Sequence, residues 1–191
     1  MTQPSDLLDF WFAEGQATAR AVWFQRDDGF DATIRARFGA LVEPARNGVL
    51  DEWARHAEGT LALLLLLDQF PRNLFRGQRD AFASDPHARE IARHAVLAQQ
   101  QDLSLPRVAR TFLYLPFEHS EDMADQNLSV ALFEGLRDDP AQRAAGGTIN
   151  YAWRHWQIIR RFGRFPHRNA ALGRVSTADE AHYLAQPGAG F

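Results

Sequence analysis

Leu64 to Gly77 reads LLLLDQFPRNLFRG, and its leucines extend an apolar run that begins at Leu61. Drawn as a helix, this run is apolar on every side, and such a helix sits in the middle of a packed protein. The run from Leu61 to Leu67 is seven residues long, against the roughly 20 needed to cross a bilayer, so it reads as a buried helix and not a membrane span. Pro71 is expected to halt it, because proline lacks an N–H and disfavours helical geometry at the preceding residue. Arg72 and Asn73 then stand at the end of a buried helix, where their donors can satisfy unpaired carbonyls.

The segments around this helix also read as helical. Ser5 is a candidate cap for a first helix, with Asp6 in its first turn and Leu7, Leu8, Trp11 and Phe12 on one broad apolar face. Phe30, Ile34, Phe38, Leu41 and Val42 keep a helical period until Pro44 and Asn47-Gly48. Asp51 is expected to cap a short helix through His56, with the leucine-rich helix beginning at Gly59 or Thr60. Ser84-Asp85-Pro86 has the form of a cap followed by proline at a helix start, and Ala88, Ile91, Ala92, Ala95 and Val96 follow on one face. Pro106 opens another helix, with Pro116 near its end; Ser120 with Glu121 and Asp122 fits a further start. That helix is expected to end at Asp138-Asp139-Pro140, and Gly146-Gly147 precedes the long arginine-rich one. Thr177 to Glu180 (TADE) matches a capping box, and a glycine-rich tail runs from Pro187 to Phe191. Strand-like alternation does not persist anywhere. The expected class is all-α, with about eight to ten helices, several forming antiparallel-looking pairs; this suggests a bundle or a short right-handed stack. No regular 34-residue repeat is visible.

At 191 residues the chain fits one domain, residues 1–191, with a substantial core. A net charge of −3 argues against general polyanion binding, so no nucleic-acid partner is expected. All 21 basic residues are arginine, which favours planar, bidentate contacts with carboxylates and phosphates. With no cysteine, disulfides, thiol catalysis and cysteine-ligated zinc are excluded. The opening MTQPSDLLDFWF lacks the form of a secretory signal, and a cytoplasmic location without membrane association is expected.

Tyr151 to Arg174 reads YAWRHWQIIRRFGRFPHRNAALGR, and its turn Phe165-Pro166-His167-Arg168-Asn169 echoes Phe70-Pro71-Arg72-Asn73. On its helix Ile149, Ala152, Trp153 and Trp156 are expected to face the core; Asn150, Arg154, Gln157 and Arg161 line the opposite side, and His155 lies on a mostly apolar flank. Three motifs stand out: LDQFPRN (Leu67 to Asn73), FLYLPFEHSED (Phe112 to Asp122) and FGRFPHRN (Phe162 to Asn169). With them the chain resembles, over nearly its whole length, the bacterial domain-of-unknown-function 924 family. The resemblance implies a tetratricopeptide-like all-helical fold, a right-handed stack of antiparallel helix pairs. It implies no activity, cofactor or catalytic residue.

The residues themselves support three readings. In the first, Arg72, Asn73, His155, Arg161, His167, Arg168 and Asn169 line a concave groove that holds an acidic peptide end or a small anionic ligand, since an Arg fork and an Asn amide together bind a carboxylate or phosphate. In the second, the protein is a hydrolase or transferase of an anionic small molecule, with His119 as base, Glu118 or Glu121 orienting it, and the arginines stabilising developing charge. In the third, the same residues form a purely structural network, the acids of the EHSED turn pairing with arginines of the Tyr151–Arg174 stretch. No cofactor fingerprint, glycine-rich phosphate loop or G-x-S-x-G setting is present, and the histidine spacing matches no metal motif, so neither cofactor nor metal is expected. The oligomeric state is not legible.

Overall fold

The computed structural model describes residues 2–190; Phe191, the end of the glycine-rich tail, lies outside them. Among the described residues there is no strand, and the all-α class with eight to ten helices is observed. No described helix is long and apolar enough to cross a membrane. Dense packing divides the chain into two compact units, Met1–Arg76 with Asp80–Pro116, and Gly77–Arg79 with Phe117–Phe191. The single all-helical domain of residues 1–191 stands as an expectation.

The first unit contains α1 (Pro4–Trp11), α2 (Asp28–Arg46), α3 (Ala57–Leu64), α4 (Phe70–Leu74) and α5 (Asp85–Arg93), followed by the start of α6 (Arg107–Glu118). Leu61 to Leu67 are all fully buried, as an all-round apolar helix requires. Helix α3 packs against α1 and α5, and α2 packs against α4. Phe70 lies 5.5 Å from both Trp11 and Phe38, ring centre to ring centre, and Trp11 meets Phe112 edge-on at 5.6 Å.

Pro71 does not halt the leucine-rich helix. A π-helical turn over Leu65–Gln69 joins α3 to α4, closed by the Phe70 N–H on the Leu65 carbonyl. Pro71 then occupies the first turn of α4, where a missing N–H costs least. The buried Ser84 hydroxyl donates to the Leu67 carbonyl at 2.6 Å, the acceptor that a residue-71 N–H would serve in a regular helix. That contact also explains why Ser84 places no side-chain cap on α5. Ser5 is likewise not a cap: Pro4 takes the first helical position, and Gln3 and Asp6 form the capping box. The short helix after Asp51 is a 3₁₀ helix, Asp51–Arg55, and α3 starts at Ala57, before Gly59.

The second unit contains α7 (Met123–Glu134), α8 (Pro140–Arg143), α9 (Thr148–Phe162) and α10 (Ala178–Leu184). Helix α9 packs on α7 and α8, and α10 packs on the 3₁₀ turn Pro166–Arg168. Helix α7 is capped by Asp122 and not Ser120, the Asp122 carboxylate accepting the Ala124 N–H at 2.6 Å. It stops at Glu134, and Asp139 caps α8 instead. Helix α9 ends at Gly163, whose φ of +69° is the left-handed cap conformation that favours glycine. Its buried face is Ile149, Ala152, His155, Ile158 and Ile159. Trp153 was expected there but is 39% exposed and donates to Glu134 at 2.8 Å. It sits one helical step off the Ala152–His155–Ile159 line, and its indole N–H finds a partner only at the rim. The TADE capping box of α10 forms as read.

A methyl group on Gly59 would lie 2.0 Å from the Trp53 carbonyl oxygen. In an open helix, glycine to alanine stabilises by about 1 kcal/mol. Here Gly59→Ala is expected to lower the melting temperature; a rise in thermal denaturation would show that the close approach of the Trp53 carbonyl is absent in solution.

Candidate functional site

The motif residues of the first unit are held within it. Arg72 makes a bidentate pair with Asp85, 3.0 Å at both nitrogens, and its Nη1 also reaches the buried Asp68 carboxylate at 3.2 Å and the Asp68 carbonyl at 2.5 Å. The Asn73 amide donates to Asp31 at 2.7 Å, and Arg76 grips the same carboxylate. These contacts join α4 to α2 and α5.

The second unit treats its own FPHRN turn in the same way. Glu121 accepts two bonds from Arg174, at 2.7 and 3.0 Å, and the Phe165 N–H at 2.7 Å, closing the turn against the start of α7. Burial alone would raise the Glu121 pKa, but these donors hold it below its ordinary value. This is the acid–arginine pairing read from the EHSED turn. Asn169 donates to Ser176 at 3.0 Å and Glu180 at 3.3 Å, and Glu180 is gripped by Arg164 at 2.6 and 2.8 Å. The Arg164 hydrogen bonds, then the Thr177 N–H, push the Glu180 pKa down to about 2. The buried Arg168 lies over the Phe165 ring at 4.4 Å.

Two features of the second unit lie beyond this framework. The first is a cluster of Glu118, His119 and His155, whose donor atoms, one from each, lie within 4.8 Å of one another. Gln126, fully buried on α7, fixes the turn that presents them by donating to the carbonyls of Glu118 at 2.6 Å and Ser120 at 2.7 Å. The His155 Nδ1 faces the Tyr151 carbonyl at 2.9 Å and the Glu118 carboxylate at 3.1 Å. Both are acceptors, so Nδ1 carries the proton and Nε2 the lone pair. Burial first, then the charge of His119, holds the His155 pKa well below its usual range, against the pull of the Tyr151 carbonyl. The site thus holds a neutral imidazole of fixed tautomer beside a buried carboxylate and a more accessible histidine. Perturbed groups of this kind concentrate at functional sites.

The second feature is a cavity of about 260 Å³ bordered by Arg154, Gln157 and Arg161 of α9, Tyr183 of α10, and Gln186 and Gly188 beyond it. Arg154, Gln157 and Arg161 are the polar face of α9 read from sequence. Half-exposed Arg161 has a 3.5 Å contact with exposed Asp179, and Arg154 donates to the Gly188 carbonyl at 3.2 Å.

Residues 7–188 match the family described as Bacterial protein of unknown function (DUF924). The chain belongs to the DUF924 family. A solved structure of a protein of unknown function from Agrobacterium tumefaciens is similar at 40% identity and a TM-score of 0.85, over 95% of this chain and 96% of that one. Among curated proteins none matches.

In this DUF924 chain the residues named from sequence therefore separate by role. Arg72 and Asn73 sit in the framework of the first unit, and Asn169 in that of the second. Arg161 borders the cavity, while His119 and His155 join Glu118, with Arg168 and His167 close enough to act on the His155 charge. The convergence of His155 on Glu118 was not read from sequence; the only signal was a histidine interrupting an apolar flank.

Removing the Arg72 guanidinium strands the buried Asp68 carboxylate. Arg72→Ala should cost roughly 3 kcal/mol in chemical denaturation, the range for a broken buried pair; a loss under about 1 kcal/mol would make the pair a surface contact. Glu180 gives a pH signature. Its folded pKa lies below its ordinary 4.5, so its contribution is full above that value and fades as pH falls toward about 2. The melting temperature should drop over that window more steeply for the wild type than for Glu180→Gln, and parallel curves would refute the assignment.

Proposed function

We propose that the second unit binds a small anionic ligand or an acidic peptide end in the cavity beside α9. The observation that carries this reading is the pair Arg154 and Arg161, placed two helical turns apart on the same face and both bordering the cavity. Planar guanidiniums suit carboxylate and phosphate oxygens, and Gln157 between them adds amide hydrogen bonding. Tyr183 and Phe162 supply apolar wall, and the volume of about 260 Å³ lies just below the usual range of drug-sized ligand sites, which suits a small ligand or a single terminal group. Of the groove residues expected from sequence, this reading keeps Arg161, adds Arg154 and Gln157, and leaves Arg72, Asn73 and Asn169 to the framework.

A second reading, an enzyme acting on an anionic small molecule, is favoured by the Glu118–His155 contact. A carboxylate on Nδ1 orients an imidazole for proton transfer. In this reading Glu118 and His155 position the site and the more accessible His119 meets the substrate.

The test is a thermal-shift screen of the full chain with phosphorylated metabolites, dicarboxylates and acidic peptides, repeated on Arg161→Ala. A ligand at 100 times its dissociation constant stabilises by about 2.7 kcal/mol. Arg161 is a surface residue whose replacement should change stability by no more than ~0.5 kcal/mol, so loss of the shift in the variant reports loss of binding. No shift with any class would overturn the proposal. Turnover of a ligand so found, abolished in His119→Ala with binding retained, would decide for the enzyme.

A further inference from the structure

We propose that Glu118, His119 and His155 form a binding site for one divalent transition-metal ion of the zinc type. The inference is independent of the anion cavity. Two imidazoles and one carboxylate make a donor set that suits zinc and its neighbours, whereas magnesium and calcium prefer all-oxygen shells. The three donor atoms lie within 4.8 Å of one another. Ligands of a tetrahedral ion at 2.0–2.2 Å stand roughly 3.4 Å apart, so the cluster needs only a modest closure around an ion.

His155 turns Nδ1 toward the Glu118 carboxylate at 3.1 Å, so an ion held between these two side chains would replace the Nδ1 proton, and binding would release that proton and give up the contact with the Tyr151 carbonyl. Glu118 and His119 are adjacent in sequence at the end of α6, and the Gln126 amide clamps the carbonyls on either side of His119. Glu118 closes α6 and His155 comes from α9, while His119 lies in the turn that the Gln126 amide holds. Three protein donors leave a fourth position open, the arrangement of catalytic rather than structural zinc sites. Arg168, stacked on Phe165, which in turn meets His155 edge-on at 5.4 Å, opposes a cation and so limits affinity; the same charge favours an anion in the open position. A motif search misses this set because its third donor lies in a separate helix.

The experiment is titration of the chelator-stripped full chain with Zn²⁺ by calorimetry and with Co²⁺ by visible absorption, on the wild type and on His119→Ala, His155→Gln and His87→Ala, with circular dichroism to verify each fold. His119 is only partly buried, so His119→Ala should fold even if the buried His155 cannot be replaced. His87, paired with Asp51 in the first unit, serves as control. The expected result is one ion per chain, with ligand-field bands for Co²⁺ and affinity at least about 10-fold weaker in His119→Ala, while His87→Ala behaves as wild type. No binding by the wild type, or binding unchanged in a folded His119→Ala, overturns the site. Loss in His87→Ala alone would place the ion in the first unit and overturn it equally.

Discussion

A helix buried on all sides has no water to satisfy its backbone, so a proline within it creates a debt of one hydrogen bond that other residues must meet. Pro71 is that proline. The π-helical turn over Leu65–Gln69 shifts the ladder by one residue, and Ser84 delivers its hydroxyl to the Leu67 carbonyl. Ser84 immediately precedes α5, whose Asp85 pairs with Arg72 next to the proline. Satisfying the one backbone group therefore also sets where α5 begins and which charge the buried Asp68 meets. The constraint is local in origin, yet it reaches three helices because each replacement partner comes from a different segment.

The second unit solves a related problem with carboxylates. Its FPHRN turn follows the left-handed cap at Gly163, and a turn so tight leaves backbone groups and side-chain donors pointing outward. Glu121 accepts the Phe165 N–H and both Arg174 branches; Glu180 accepts Arg164, Asn169 and the Thr177 N–H. The sequence echo between FPRN and FPHRN has a common physical meaning. In each, proline opens a helical turn and the asparagine amide donates to a carboxylate from another segment of the same unit, Asp31 or Glu180.

What was legible in the sequence followed from periodicity and cap chemistry, which act within a few residues. The burial of Leu61 to Leu67, the capping box at Thr177–Glu180, the polar face Arg154–Gln157–Arg161 and the pairing of the EHSED acids with arginines of the last stretch all belong there. Reading a stop at Pro71 applied the right rule to a helix that could escape it, because the release came from Ser84, which local reasoning assigned to capping. Trp153 failed for a different cause: size and apolarity suggest burial, but an indole N–H requires a partner and the rim residue Glu134 supplied it. The meeting of Glu118 with His155 is tertiary, and no spacing rule links the end of α6 with the middle of α9.

The arginine content is a poor guide to the charge a ligand would meet. Arg72, Arg164 and Arg174 each grip a carboxylate in a bidentate manner, and such pairs neutralise their field at short range. Arg160 spreads over Trp156 at 5.0 Å. Arg161 differs in degree: its acidic neighbour is exposed and more distant, so solvent screens that contact while the cavity side stays polar. Helix α9 thereby presents opposite chemistry on two sides. Arg154 and Arg161 border a cavity, and His155 turns inward to a carboxylate and a second histidine. A single amphipathic helix can carry both because residues one step apart, such as Arg154 and His155, diverge by about 100° around its axis. The face that the fold had to bury also brings the second unit's titratable groups together.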